Sequence, residues 1–244
     1  MFYYDGGIEM KIIKISFFLL VFGIILIFLY FEKHLSWLYL GLSLMFYLLS
    51  SAVHMIAHEI GHLMGGLFSG YKLLFLQFGP INIKNKNNKV IIKFKKELFG
   101  QCIMIPKQIE NIRFFAYNAG GIIANVLIVI LSLFLLFFNT FSVDLLVLEL
   151  VCIGVQKIFV NMIPHINNLI PNDGYIIKIL NKNEFIQKDY AMYLILYGKL
   201  FLNEDIVIQD FMYESETYSS ESEKLYYNEI QYILREIEQN KNRV

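Results

Sequence analysis

A chain of 244 residues with 57% apolar residues, 17% charged residues and a mean hydropathy of +0.52 falls outside the range of soluble globular domains and indicates an integral membrane protein. Lys+Arg and Asp+Glu both number 21, so no net field gathers nucleic acid or anionic substrates, and no nucleic-acid partner is expected. Two cysteines, Cys102 and Cys152, exclude a disulfide framework, and Cys152 sits in an apolar run as a small core residue.

The first apolar run, Ile12 to Phe31, follows Lys11 and Lys14. At about 20 residues it exceeds a signal-peptide core, and no small-x-small cleavage pattern follows, so residues 1–34 are expected to hold a retained transmembrane span. The next run, Leu35 to Phe68, is too long for one perpendicular crossing and too short for two helices with a turn, which predicts a single tilted helix. Composition then changes. Gly79-Pro80, the turn-like Asn85-Lys86-Asn87-Asn88 and flanking β-branched and aromatic residues predict a small β-hairpin over 71–97. Two more apolar runs, Ile112 to Phe138 and Val143 to about Ile163, bring the expectation to about four spans.

After Gly174 the chain turns polar. "YESETYSSESEK" is an acidic linker, and Tyr227, Ile230, Ile233 and Ile237 stand at helical spacing, so residues 181–244 are expected to form a helical tail. The fold class is therefore mainly α: a polytopic transmembrane helical bundle with its core at 35–180, a hairpin and a helical tail. Lys72, Lys84, Lys86, Lys89, Lys93, Lys95, Lys96 and Lys107 crowd the hairpin region, whereas the turns at 32–34 and 139–142 carry almost no positive charge. The positive-inside rule then places the N-terminus, hairpin and tail in the cytoplasm of a multi-pass cell-membrane protein, with the lysines as an orienting face.

The second run contains "SAVHMIAHEIGHLMGGLFSG", which sets three histidines and a glutamate where lipid excludes polar groups most strongly. His58-Glu59-Ile60-Gly61-His62 is HExxH. On a helix, positions i and i+4 share a face, so His58 and His62 can turn two imidazole nitrogens to one metal while Glu59 stands ready as a base. Zinc suits imidazole and carboxylate ligands and, with one position open, brings the pKa of water to about 7. A third ligand must come from elsewhere. Asp144, Glu149 and Asp173 are the embedded acids, and only Asp173 matches the depth of HExxH in the expected topology; Asp144 and Glu149 would need a re-entrant bend.

These residues resemble the site-2 proteases, membrane-embedded metalloproteases that carry HExxH on one helix and an Asn/Pro-rich segment ending in Asp-Gly on a later one. The matching residues are His58, Glu59 and His62, then Asn161, Pro164 and Pro171 leading to Asp173-Gly174; "NAGGIIANVLIVIL" aligns Gly121 and Asn125 with the family's Gly-x-x-x-Asn segment. The resemblance covers roughly residues 52–180. It implies zinc held by His58, His62 and Asp173, Glu59 as catalytic base, and a transmembrane or hydrophobic peptide as substrate within the lipid bilayer. Three departures stand out: Asn172 precedes Asp173 in place of leucine, the segment from Asn161 to Asp173 is long, and Ile122 replaces a proline.

Candidate substrate contacts are Asn125, Asn172 and His54. His54 lies one turn before His58 and suits either a supporting role beside the metal or interhelical hydrogen bonding. Asn125 suits helix–helix contact or a substrate backbone, His165 a loop or substrate contact, and Gly65-Gly66 close packing or a helix end. A substrate strand could add to the hairpin edge at Val90 to Phe94. Two rivals remain open: a gluzincin-type peptidase using Glu149 as ligand, and a non-hydrolytic metal-binding transporter or accessory protein, which would line several spans with more polar residues.

Overall fold

The computed structural model describes residues 23, 37–86, 89–109, 112–136, 141–167, 170–202, 204–212, 218 and 223–241. The expected first span, Ile12 to Phe31, lies outside them apart from Gly23. In chain order the elements are α1 (Trp37–Phe68), β1 (Lys72–Lys86), β2 (Lys89–Ile105), α2 (Phe114–Leu136), α3 (Phe141–Met162), β3 (Ile166–Asn167), β4 (Ile170–Pro171), α4 (Asp173–Leu180), α5 (Glu184–Leu202), a 3₁₀ turn (Ile208–Phe211) and α6 (Leu225–Lys241).

Three of these helices, α1, α2 and α3, are long and apolar enough to cross a membrane. The predicted single helix over the second run is present: α1 has 32 residues, about 48 Å at 1.5 Å per residue, well beyond a hydrocarbon core of about 30 Å. Burial is inverted along α1 and at several positions of α2, while α3 buries Glu149 among Leu145, Val147 and Ile153. Leu38, Leu44 and Leu48 of α1 and Leu127, Ile130 and Phe134 of α2 are exposed, whereas Ser43, Ser50, His54, Glu59 and His62, Asn125 and Ser132, and Glu149 are buried. Lipid-facing helices behave this way, because hydrocarbon solvates leucine and rejects an imidazole or carboxyl. Spacing produces the pattern: Ser43, Ser50, His54, His58 and His62 recur at intervals of seven and four along one face of α1.

The chain forms two compact units, Met1–His62 with Ala119–Ile176, and Leu63–Asn118 with Ile177–Val244. In the first, α1 and α2 approach at Gly61 and Gly120, where a Cβ on either glycine would strike the other's carbonyl oxygen. In the second, β1 and β2 form an antiparallel hairpin longer than the 71–97 expected, from the Lys72–Ile105 pair to Lys86–Lys89. Gly79-Pro80 does not turn the chain. Gly79 adopts φ +56° and the register slips between Gly79 and Ile81, so the proline, which has no N–H to give, sits at a bulge.

α1 ends as a Schellman-type cap: Gly70 has φ +82°, its N–H bonds the Leu67 carbonyl at 3.0 Å, and Tyr71 N–H bonds the Gly66 carbonyl at 2.9 Å. Gly65 and Gly66, five and four residues before Gly70, serve packing: a Cβ would meet the Ala116 carbonyl at the first and Met104 and Tyr117 at the second. The region after residue 180 is helical as predicted, and it groups with the hairpin. Tyr197, Phe201 and Leu202 of α5 pack on Leu74, Phe75 and Ile103, while Met192, Leu196, Phe211, Ile230 and Leu234 form a further core. α5 covers the adjacent Leu74 and Phe75 of β1 and Ile103 of β2, where the register slips between Leu73 and Phe75 and strict alternation of faces is lost.

Candidate metal centre

His58 and His62 lie one turn apart on α1, their rings edge to face with centroids 4.6 Å apart and their Nε2 atoms 3.0 Å apart. Asp173, the first residue of α4, brings Oδ2 to 3.2 Å from His58 Nε2 and Oδ1 to 3.4 Å from His62 Nε2. A tetrahedral metal with bonds of about 2.0–2.2 Å holds neighbouring ligand atoms about 3.3–3.5 Å apart. The three separations, 3.0, 3.2 and 3.4 Å, lie within about 0.3 Å of that edge length, and among the described residues His58, His62 and Asp173 are the group of metal-ligating side chains that converges in this way. Asp173 Oδ2 is buried with no hydrogen-bond donor aligned on it, as a ligand atom would be. These residues could hold a metal ion.

Burial alone would raise the Asp173 carboxyl's pKa, but the His62 and His58 imidazoles outweigh it and hold the group well below the ordinary carboxylate range, ionised as a ligand must be. The side chains of His58, His62 and Asp173 remain 13%, 10% and 15% exposed. Glu59, next to His58 on the helix, is buried.

Asn172 places the aspartate. Its Oδ1 accepts the Tyr175 N–H at 3.0 Å, capping α4, and the His165 N–H at 3.1 Å. Its Nδ2 lies 2.8, 3.1 and 2.7 Å from the carbonyl oxygens of Val160, Asn161 and Ile163, which the end of α3 leaves without helical partners. One amide thus ties the end of α3 to the start of α4, a job an apolar side chain such as leucine could not do. The extra length after Asn161 forms the β3–β4 pair, Ile166 opposite Pro171 and Asn167 opposite Ile170. Gly174 permits the close approach: a Cβ there would strike the Met162 carbonyl. His165 turns its Nδ1 to the Ile163 carbonyl at 3.0 Å and stands outside the ligand group.

Asn125, weighed above as a substrate contact, is 1% exposed, with its two amide atoms 2.9 Å from His54 Nδ1 and 3.3 Å from His58 Nδ1. His54 is fully buried, and its Nε2 lies 2.9 Å from the Leu150 carbonyl oxygen. Gly121 belongs to the same arrangement, since a Cβ there would collide with the His58 ring. Glu149 is fully buried elsewhere in this unit; its Oε1 accepts the Ser43 hydroxyl at 2.6 Å, and it is not part of the ligand group. The side chain of Asp144 lies outside the described residues.

Two buried pairs belong to no motif in the sequence: Ser43 with Glu149, and Asn118 with Tyr190, whose hydroxyl donates to Asn118 Oδ1 at 3.0 Å. A signal existed: Asn118, Asn125 and Ser132 recur every seven residues along α2, two turns apart on one face. Comparison with protein-family models, characterised proteins and solved structures finds no match to this chain.

Proposed function

We propose that this chain is a membrane-embedded zinc metalloprotease of the site-2 type, which hydrolyses a peptide bond of a transmembrane or hydrophobic peptide near the cytoplasmic face of the cell membrane. The observation that carries this reading is the convergence of His58, His62 and Asp173, whose ligand atoms lie 3.0 to 3.4 Å apart, close to the spacing of a tetrahedral site, with an HExxH glutamate beside them on a helix long and apolar enough to cross a membrane. Zinc suits two imidazoles and a carboxylate with one position open, and when bound it supplies a Lewis acid and acidifies water.

The remaining work falls to the chain. Glu59 takes a proton from the attacking water and returns it to the departing amine. His58, His62 and Asp173 stay deprotonated at their ligand atoms, and Asn172 holds Asp173 in reach from the end of α3. A helical substrate must unwind before it is cut, because its own backbone hydrogen bonds shield the scissile carbonyl. The site at the end of a span, instead of mid-bilayer, reconciles access to water with apolar helices.

Metal removal tests the reading. The purified chain should carry one zinc, lose cleavage of a co-reconstituted membrane peptide on treatment with a chelator, and regain it on zinc addition. Undiminished cleavage by the metal-free chain would end the proposal. Topology is a separate expectation: reporters at Asn88 and Asn240 should be cytoplasmic and one at Phe141 external, following the lysine distribution. An external reading at Asn88 would invert the orientation and put cleavage near the opposite face.

A further inference from the structure

Resting on the metal reading above, we infer that His54 and Asn125 are positioning residues: a directed hydrogen-bond relay that sets the tautomer of His58 and aims its Nε2 lone pair at the metal. The relay runs through three helices. Leu150 on α3 offers its carbonyl oxygen to His54 Nε2 at 2.9 Å, Asn125 on α2 sets its Oδ1 2.9 Å from His54 Nδ1, and its Nδ2 lies 3.3 Å from His58 Nδ1 on α1.

The direction of each bond follows from counting protons. A carbonyl oxygen only accepts, so His54 Nε2 carries a proton and donates it to Leu150. A histidine that binds a metal through Nε2 carries its proton on Nδ1, so His58 must donate to the amide. The amide end facing His58 is then Asn125 Oδ1, and the end facing His54 is Nδ2, which donates to an unprotonated Nδ1 of His54. Every donor meets an acceptor and all three side chains are neutral. The relay therefore turns the Asn125 amide over relative to the structure, whose placement, Oδ1 toward His54 and Nδ2 toward His58, would make His54 donate from both nitrogens as a buried cation. That placement would also force the His58 proton onto Nε2, where the metal binds. The two orientations exchange an oxygen and a nitrogen of nearly the same shape, so protons decide between them.

The packing holds both rings for this purpose. A Cβ on Gly154 of α3 would come within 2.6 and 2.8 Å of His54 Cε1 and Nε2, and one on Gly121 of α2 would fall on the ring of His58. Backbone thus lies flat against each imidazole. Neither ring can tilt without losing its bonds to the amide. Because Asn125 is 1% exposed and both its amide ends are engaged, its part is exerted through His58 and not on substrate.

The test uses the full-length chain in detergent micelles, loaded with zinc and labelled with ¹⁵N-histidine, so that nitrogen shifts report each tautomer. His58 should be protonated at Nδ1, and His54 at Nε2 alone. A zinc-loaded chain whose His54 carries a proton on Nδ1 would overturn the relay. Zinc affinity, read by chelator competition, should fall about 10- to 100-fold in Asn125→Leu, the usual scale for a group that orients a ligand. Asn125→Asp, whose carboxylate still accepts from His58 Nδ1 and now also from His54, which takes a second proton on Nδ1 in this variant, should stay within about threefold of the native chain. In the Asn125→Leu background His54→Phe should add less than about twofold, since a broken relay cannot be broken twice. Equal losses in the Leu and Asp variants would assign Asn125 to packing alone and refute the inference. A native chain that binds no zinc would remove the metal reading itself, whereas native binding with an unaffected Asn125→Leu removes only the relay.

Discussion

Replacing Glu59 by glutamine should leave zinc bound and the chain folded while lowering cleavage by about 10²- to 10⁴-fold, the usual worth of a positioned general base. The substitution keeps the size of the side chain and its capacity for hydrogen bonds, so the buried position loses neither packing nor all of its polar contacts. What disappears is the ability to accept a proton. None of the three proposed ligand atoms belongs to Glu59, so metal content and activity should separate in this variant. Zinc content on the purified protein, measured beside fragment formation from a co-expressed membrane protein, checks both halves. Near-native turnover would remove Glu59 from catalysis and with it the protease reading. Full zinc occupancy with no cleavage by the native chain under any condition would point instead to a metal-binding transporter or accessory protein.

The second large effect belongs to Asp173→Asn, in which zinc affinity and cleavage should fall together. The loss should exceed the roughly 10- to 100-fold expected for residues that only orient a ligand. The variant removes a negative charge and replaces a carboxylate oxygen, now 3.2 Å from His58 Nε2 and 3.4 Å from His62 Nε2, by an amide. An NH₂ group facing those nitrogens would donate into the lone pairs the metal needs. Glu149→Gln should keep zinc, because Glu149 is engaged by Ser43 and stands outside the converging group; a glutamine there still accepts the Ser43 hydroxyl. Asn172→Ala should retain more zinc than Asp173→Asn and lose turnover, since it frees the link between α3 and α4 without removing a ligand atom. Zinc retained in Asp173→Asn and lost in Glu149→Gln would reverse the assignment and revive the gluzincin reading.

Much of this architecture was legible without coordinates, for reasons that are local. Apolar runs of spanning length declare themselves because lipid tolerates little else, and the helix Trp37–Phe68, the two later helices long and apolar enough to cross a membrane, and the hairpin all follow from composition and turn residues. His58 and His62 were legible as a pair because helical geometry alone puts i and i+4 on one face. Asp173 could be singled out by depth and by its Asp-Gly context, but its approach to the histidines depends on how α4 meets the end of α3, a matter of contacts far apart in sequence.

The roles of the asparagines belong to that second kind. Nothing in the residues around Asn172 says that its amide joins three carbonyls of one helix to the cap of the next, which comes into being only when the two ends meet. Asn125 was equally open to a substrate contact until packing buried it between His54 and His58. The grouping of the hairpin with α5, in place of a separate tail after residue 180, is likewise a property of assembled faces. Helical period and hydropathy act over a few residues and are written directly in the chain. The partner of a buried polar group is chosen by which helices come to touch, and the cost of leaving such a group unpaired in an apolar interior is what makes that choice specific.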